Sequence, residues 1–324
     1  MIRHLILLVF LIATCSDMYA SIVYVKSGAV GTGRSWDDAL GDLQIALSIV
    51  KAGDSIWVTK GTYYPTGDTN RTISFEIKSG IAVYGGFAGH EKSIEERIIK
   101  ANPSVLSGNI GTKQKTDNTH NVLYIKGAST TTIIDGFTIT GGYADGDESL
   151  GSRFTAGGGV YNDAASRVSS PIFRNCQFID NWARDGGAIY NHAAQKGYCK
   201  PIISKCEFID NKAFLGGGAI FNSGSRQGEC EVTIVDSRFY NNKAGFGGAI
   251  FNYGKDGISK VVIENTVFQV NSAVIQGGGI FNLNVDGVGK SSFKNCEFIN
   301  NSSPQGSTVA NSSLSQKPKN TSRI

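Results

Sequence analysis

One acidic loop carries residue types that could bind a cation or act on a sugar polymer. Asp145, Asp147 and Glu148 lie together in the stretch GGYADGDESLGSRFTAGGG, and Arg153 follows them. Carboxylate oxygens are the ligands that Ca²⁺ prefers, and lyases or hydrolases of acidic polysaccharides need basic and acidic side chains around the scissile bond. The loop therefore predicts a Ca²⁺ site or a catalytic set of Asp145, Asp147 and Arg153, with a solvated acidic loop as the alternative.

Four basic residues recur at similar places along the chain. Arg167, Lys196, Arg226 and Lys255 each follow the last asparagine of a repeated segment by three to five residues. If they align, they form a basic stripe along which an anionic glycan could lie, and repeated weak contacts would add through multivalency. The alternative is a set of solvated charges that keep the strand ends soluble.

The histidines and the repeated aspartates give a weaker signal for chemistry. His90, His120 and His192 share no spacing, and none of them fits a zinc motif. Asp180 and Asp210 belong to the repeat itself, whereas a catalytic site should interrupt a repeat. We therefore expect no resident metal or other cofactor beyond the possible Ca²⁺.

Five cysteines follow the N-terminal region, namely Cys176, Cys199, Cys206, Cys230 and Cys296. Cys199 and Cys230 occupy equivalent positions in adjacent repeats, so their spacing permits a disulfide in a secreted chain. Cys176 and Cys206 are also adjacent, but inward-facing stacked cysteines are usually free thiols that fill a core. The sequence thus predicts a Cys199–Cys230 bridge only.

The elements that would position these residues come from one internal repeat. FIDNWARDGGAIYN starts at Phe178, and related segments start at Phe208, Phe239, Phe268 and Phe298. A period of about 30 residues, with short alternating runs broken by Asn, Gly and Asp, is typical of a parallel β-helix with one rung per repeat. The predicted class is all-β, a right-handed parallel β-helix solenoid.

Equivalent residues of successive rungs should form ladders. The phenylalanines and the residues two places before them are expected to face the interior, and Asn181, Asn211, Asn242, Asn271 and Asn301 to form a hydrogen-bonded turn ladder. A second, aromatic set is either core or a stacking platform for sugars: Tyr161, Tyr190, Phe221, Phe251 and Phe281.

A helix is predicted near the N-terminus, where an open solenoid end needs a cover. Ser35 and Asp38 fit a capping box, and Gly53 fits the helix end. One apolar face would be formed by Leu40, Leu43, Leu47 and Val50.

The chain divides into four predicted segments. Residues 1–20 fit a secretory signal peptide with cleavage after Ala20, although Ile12–Cys15 also fits a lipoprotein signal acylated at Cys15. Residues 21–140 hold the cap and irregular rungs, residues 141–311 the regular repeats, and residues 312–324 a polar tail. The formal charge of +4 without a basic run argues against nucleic acid, and no later segment fits a membrane span.

Two groups of motifs carry a resemblance to known proteins. SWDDALGDLQIALSIVKAGDSIWVTKGTYYPT (35–66) and SFEIKSGIAVYGGFAG (74–89) resemble the opening of secreted bacterial parallel β-helix repeat proteins with a pectin-lyase-like fold. The FxxN and GGAI elements, at 208–211 and 217–220, resemble repeats of chlamydial polymorphic outer-membrane proteins. The resemblance implies a fold, while proteins with this fold include lyases, hydrolases and adhesins.

We therefore expect a monomeric secreted or surface-exposed β-helix that binds through an adhesin-like surface, in contact with a polysaccharide or a cell-surface glycan. The alternative is a polysaccharide lyase or glycoside hydrolase that acts on an acidic polysaccharide.

Overall fold

The computed structural model describes residues 20–112, 114–150 and 152–315. Its strands pair in parallel and form four sheets, numbered 1 to 4. Each circuit of the chain forms one rung of a solenoid, and within a rung the chain passes through sheets 1, 2, 4 and 3 in that order. The predicted parallel β-helix is confirmed. Residues 1–19 of the predicted signal peptide, including Cys15, lie outside the described residues.

Four sheets run along the solenoid axis. Sheet 1 contains Ile22–Val25, Ser55–Thr59, Ala82–Phe87, Ile133–Asp135, Val168–Ser169, Ile172–Arg174, Tyr198–Cys199, Ile202–Ser204, Glu229–Val235, Ile258–Glu264 and Val288–Lys294. Sheet 2 contains Gly61–Tyr63, Ser104–Ser107, Phe137–Thr140, Gln177–Ile179, Glu207–Ile209, Arg238–Tyr240, Val267–Gln269 and Glu297–Ile299.

Sheet 3 contains Phe75–Ile77, Leu123–Lys126, Val160–Asp163, Ile189–Ala193, Ile220–Ser225, Ile250–Lys255, Ile280–Val285 and Val309–Leu314. Sheet 4 contains Tyr143–Ala144, Trp182–Asp185, Lys212–Gly216, Lys243–Phe246 and Ser272–Gln276. One α-helix spans Leu43–Ile49, and 3₁₀ helices span Ile94–Glu96, Lys115–Asp117, Glu148–Leu150 and Ser152–Thr155.

Stacked side chains fill the interior. Phe178, Phe208, Phe239 and Phe268 are fully buried, and adjacent rings lie 4.6–4.7 Å apart within 3° of parallel. The spacing matches the distance between neighbouring strands, so each ring packs on its equivalent in the next rung. The predicted inward ladder is confirmed.

Two asparagine ladders satisfy polar groups inside the solenoid. In the predicted turn ladder, Asn181 Nδ2 donates to Asn211 Oδ1 at 3.0 Å and to the Ile139 carbonyl at 3.0 Å, and the pattern continues to Asn301. A second ladder lies on the inner side of sheet 3, with Nδ2–Oδ1 distances of 2.8–2.9 Å through Asn162, Asn191, Asn222, Asn252, Asn282 and Asn311. The identical spacing along the axis gives the amides of these two ladders partners one rung away.

The N-terminal helix is shorter than predicted. It begins after Asp42, whose side chain accepts from Gln44 N, while Asp38 instead accepts from Thr32. Leu40 forms a parallel bridge with Val25, so this part of the predicted helix is extended. Leu43 and Leu47 pack into the main core beside Val25, at the end where sheets 1 and 3 begin.

The chain after residue 311 continues the sheet rather than leaving it. Val309–Leu314 pairs with Ile280–Val285 in sheet 3, although residue 312 was the predicted start of the polar tail. Residues 316–324 of that segment lie outside the described residues. Within the described residues, no helix has the length and hydrophobicity that a membrane span requires.

Candidate functional site

A groove of about 950 Å³ lies on the outer surface at the corner between sheets 1 and 2. One residue per rung makes this corner with a left-handed backbone: Gly136, Asn175, Lys205, Asp236, Asn265 and Asn295. Gly, Asn and Asp tolerate positive φ well, whereas Lys205, at φ 53°, is the one lysine in this row. Such an exception at the centre of a groove is a reason to look for function there.

The groove lining is rich in cations. Arg97, Lys100, Lys205 and Arg238 face two lining carboxylates, those of Glu207 and Asp236, so the lining carries a net charge of +2. Arg97 and Lys100 come from the loop that crosses the outside of sheet 1, while the others come from the rungs. An anionic ligand would therefore be favoured here over a cationic one.

The two carboxylates already have partners within the protein. Glu207 Oε2 accepts from Gln177 Nε2 at 2.7 Å, and Asp236 Oδ1 accepts from Asn265 Nδ2 at 3.0 Å. Lys100 and Lys205 are exposed, and their side chains form no hydrogen bond or ion pair with any residue in the described part of the chain. The ammonium groups of these two lysines are therefore free to bind a ligand.

A buried ion pair fixes one end of the groove. Asp135 is 1% exposed, and its carboxylate accepts from Arg174 and lies 3.4 Å from Arg97. Asn175 Nδ2 donates to the same carboxylate at 3.0 Å. The Arg97 guanidinium also lies over the Tyr84 ring. These contacts satisfy the buried charge and hold the loop that carries Lys100 against sheet 1.

The side chains along the groove follow the rung register. Thr138, Gln177, Glu207 and Arg238 are paired residues of successive strands in sheet 2, all pointing outward. Rungs repeat at about 4.8 Å, so the corner row from Gly136 to Asn265 offers contacts over roughly 19 Å. A linear polymer that lies along the axis would meet one set of side chains per rung.

The three carboxylates of the predicted acidic loop have separate partners. Asp145 pairs with Arg71 and lies 3.7 Å from His120 Nδ1, and Glu148 pairs with Arg184. Asp147 is exposed and accepts from Ser149 N at 2.8 Å, a bond that lowers its pKa. The three carboxylates that were predicted to bind Ca²⁺ therefore have different protein partners.

Metal-ligand groups are not assembled elsewhere in the described residues. No group of three or more His, Cys, Asp or Glu side chains there is arranged to hold a metal ion.

Arg153 fastens the same loop to the outside of sheet 3. Its guanidinium lies 3.7 Å from the centroid of the Tyr124 ring, and its Nη2 donates to Ser74 Oγ at 3.0 Å. Burial lowers its pKa. The Arg153 guanidinium is therefore held by Tyr124 and Ser74, although Arg153 belongs to the same loop as Asp145. Other residues form the groove at the corner between sheets 1 and 2.

The predicted basic stripe is only partly assembled. Lys196 and Arg226 share a shallow depression of about 510 Å³ with Asp256. Lys255 pairs in register with Ser225 rather than with Arg226, and Arg167 Nε donates to the Ala165 carbonyl. The four side chains therefore do not occupy one ladder, because the turns that carry them differ in length.

The aromatic ladder on sheet 3 faces away from the main core, yet it is covered. Tyr161, Phe221, Phe251 and Phe281 are 3–6% exposed, and Phe246 of sheet 4 packs against Phe251 and Phe281. Phe221, Phe251 and Phe281 form a buried cluster outside the main core, with Tyr190 packed against it, rather than an open stacking platform. At the first residue of the aromatic ladder, Tyr161 Oη lies 2.9 Å from His192 Nδ1. Burial lowers the pKa of His192.

The cysteines of the described chain are free thiols. Cys199 and Cys230 are paired residues of adjacent strands and both are fully buried, but the predicted disulfide between them is not formed. Burial raises the pKa of the Cys230 thiol well above its ordinary value. Cys176 and Cys206 fill the core, as predicted.

Comparison with known proteins supports the repeat assignment. The model of the Chlamydia polymorphic membrane protein (Chlamydia_PMP) repeat matches residues 175–192 and 236–253. The chain is a parallel β-helix whose repeats are similar to these. Both matched segments begin at a corner residue of the groove, Asn175 or Asp236. No curated protein matches the chain.

One solved structure, a crystal structure of pectate lyase Pel9A, is 16% identical over 94% of this chain and 82% of that chain. Its TM-score is 0.47.

Sequence reasoning missed the groove because its residues are far apart in the chain. One signal was present, however. In the repeated pattern that precedes each inward phenylalanine, NCQF, DSRF, NTVF and NCEF begin with Asn or Asp, whereas the segment at 205–208 reads KCEF. A lysine in a position that favours Asn marks the place where the groove lies.

Proposed function

We propose that this chain is a secreted or surface-exposed β-helix protein that acts as a binding module and holds an anionic glycan in the groove between sheets 1 and 2. The observation that carries the proposal is Lys205, an unpaired lysine in a left-handed corner position. It lies at the centre of a groove with a net positive lining. Charged lysine donors suit carboxylate or sulfate groups that recur along a polymer.

The geometry of the groove favours an extended ligand. It follows the axis over several rungs, and amide groups such as Gln177 stand beside the lysines. Individual contacts between an exposed lysine and an anion are weak, but contacts repeated along one chain add. We infer that the protein binds as a monomer and needs no metal, so a chelator should leave binding unchanged.

Polygalacturonate and neutral dextran are suitable probes for calorimetry or a gel-retardation assay. Wild-type protein should bind polygalacturonate and not dextran. Lys205→Asn places a residue that favours positive φ at the corner, so it removes the charge without straining the fold. We expect it to weaken binding about tenfold, while Lys205→Arg retains most of the affinity.

Lys212→Gln is the matched control, because Lys212 is an exposed lysine on another sheet. Equal binding of polygalacturonate by wild type and Lys205→Asn would refute the groove as the site. If Lys196→Gln or Arg226→Gln weakens binding instead, the shallow depression near sheet 3 is the site.

The enzymatic alternative has its own readout. A lyase that acts on polygalacturonate would release unsaturated products with ultraviolet absorbance, and a hydrolase would release reducing ends without that absorbance. We expect neither product. Turnover that is lost in Asp147→Asn or Arg153→Lys would establish an enzyme whose site is the acidic loop.

A further inference from the structure

The outer face of sheet 4 carries apolar side chains that point into solvent. Phe214 is 70% exposed, Val274 75% and Ile275 44%, whereas the alternating alanines of the same strands, such as Ala213 and Ala273, point inward and are buried. Large apolar side chains this exposed, grouped on neighbouring rungs, usually mark an interaction surface.

Bulges interrupt the alternation in two strands of this face. Lys212 pairs with Lys243 and Gly216 with Phe246, so the strand Lys212–Gly216 holds one residue more than its neighbour between the two pairings. The strand Ser272–Gln276 is bulged on the other side of the same neighbour, where Ala244 pairs with Ala273 and Phe246 with Gln276. Phe214 and Val274 follow the buried Ala213 and Ala273, so ordinary alternation points both outward. The bulge beside Val274 leaves Ile275 facing solvent as well, so two consecutive apolar side chains of that strand are exposed.

Two cations accompany the apolar side chains. Lys212 and Lys243 are exposed, directly paired in register, and point outward on the same face as Phe214. Neither ammonium group forms a hydrogen bond or ion pair with a residue that the structure describes. The face therefore presents two free ammonium groups next to projecting apolar side chains.

We propose that the sheet 4 face, defined by Lys212, Phe214, Lys243, Val274 and Ile275, docks on an anionic lipid surface. Side chains exposed by 70% or more project from the solenoid, so they suit insertion into the headgroup boundary of a bilayer. The adjacent lysines suit the phosphates of that boundary, because clustered basic side chains are attracted to anionic leaflets. The charge of the face selects an anionic membrane over a neutral one.

The solenoid would then lie with its axis along the membrane. The residues of this face lie on three successive strands of sheet 4, Lys212–Gly216, Lys243–Phe246 and Ser272–Gln276. The contacts with the membrane would therefore be distributed along the axis rather than at one end. This orientation leaves the groove between sheets 1 and 2 on a different face of the rung, free to hold a ligand. The inference does not depend on the proposed function of that groove.

Cosedimentation with vesicles tests the proposal. Vesicles of phosphatidylcholine alone are compared with vesicles in which a quarter of the lipid is phosphatidylglycerol. The protein should sediment with the anionic vesicles, and binding should fall as salt is added. Phe214→Ser with Val274→Ser should reduce binding about tenfold, and Lys212→Gln with Lys243→Gln should remove the preference for anionic vesicles.

The control is a matched pair on sheet 1, Val262→Ser with Lys260→Gln, because Val262 is 44% exposed and Lys260 also points to solvent. This pair should leave vesicle binding unchanged, as should Lys205→Asn in the groove. Wild-type protein that stays in the supernatant with both vesicle types would overturn the proposal. Equal losses from the sheet 1 and sheet 4 variants would also overturn it, as would capture of a protein partner by the sheet 4 face without lipid binding.

Discussion

Asn211 Nδ2 lies 3.0 Å from Asn242 Oδ1, and both side chains are fully buried. The same amide donates to the Phe178 carbonyl at 2.8 Å, while Asn211 Oδ1 accepts from the backbone and side chain of Asn181. Each asparagine thus joins three rungs at one turn. The repeated motif is a structural device, because it satisfies buried polar groups that a turn would otherwise leave without partners.

The first prediction concerns this ladder. Asn211→Ala removes the side-chain donors and the acceptor, so Asn181 N loses its partner in a buried site. Asn242 Oδ1 then keeps only the bond from the Asn211 backbone N–H. We expect a loss of about 2–4 kcal/mol in the free energy of unfolding, measured by urea denaturation. Gln177→Ala, which removes an exposed amide from the strand that precedes Asn181, is the control and should change stability little. A loss below that of the control would mean that the ladder does not stabilise the fold.

The second prediction concerns pH. Burial raises the pKa of Asp185 to about 6, although the nearby Arg184 opposes the shift. The folded state therefore binds a proton more tightly than the unfolded state does, and this stabilisation is lost as the pH rises from about 4 to about 6. Asp185→Asn should remove the dependence and stabilise the protein above pH 6 by up to about 3 kcal/mol.

Thermal unfolding of wild type and Asp185→Asn across pH 3 to 8 measures this difference. Asp147→Asn is the opposite case, because the Ser149 amide lowers the pKa of Asp147. The stabilisation that the ionised Asp147 gains from this hydrogen bond in the wild-type protein is present at neutral pH and disappears as the pH falls. A stability difference between wild type and Asp185→Asn that is constant with pH would contradict the raised pKa of Asp185.

The third prediction concerns the thiols. Cys176, Cys199, Cys206 and Cys230 are buried, whereas Cys296 is partly exposed. An alkylating reagent should modify Cys296 rapidly in the native protein and the other four only in denaturant, without any reductant. Mass spectrometry of the digested protein counts the modified sites. A mass two units lower on a peptide pair containing Cys199 and Cys230 would instead establish the disulfide predicted from their spacing.

The fourth prediction concerns the acidic loop. Arg153 stacks on Tyr124 and donates to Ser74, so it fastens residues 145–155 to sheet 3. Arg153→Ala should cost about 1–2 kcal/mol and should expose Phe154 to chymotrypsin. Arg153→Lys keeps the charge but not the planar contact, so an intermediate rate of cleavage is expected. Cleavage at the wild-type rate in both variants would show that other contacts hold the loop.

Much of the fold could be predicted because the same residue types recur at the same positions in each repeat. The phenylalanines and the asparagines recur at constant spacing, and a parallel solenoid places such equivalents directly above one another. The capping box predicted from Ser35 and Asp38 does not begin the helix, whose N-cap is Asp42. The Asp38 carboxylate is bound by Thr32, a contact that lies outside the helical pattern.

The candidate sites were less predictable. Asp145 and Glu148 are close in sequence, which suggested a shared cation, but each meets an arginine from a distant segment, Arg71 or Arg184. Conversely, Lys100 and Lys205 are separated by more than a hundred residues and line one groove. Residues that are close in sequence need not share a site, because a site depends on the rung and the corner at which each residue lies.

The sequence by itself determined a parallel β-helix with an inward phenylalanine stack and a turn ladder of asparagines, because both follow from periodicity and side-chain chemistry. Only the tertiary structure decided which surfaces are open. Sheet 4 covers the aromatic ladder of sheet 3, the loop carrying Arg97 forms one end of the groove, and a bulge leaves Ile275 exposed beside Val274. These outcomes depend on contacts between rungs and on strand register, which no single repeat encodes.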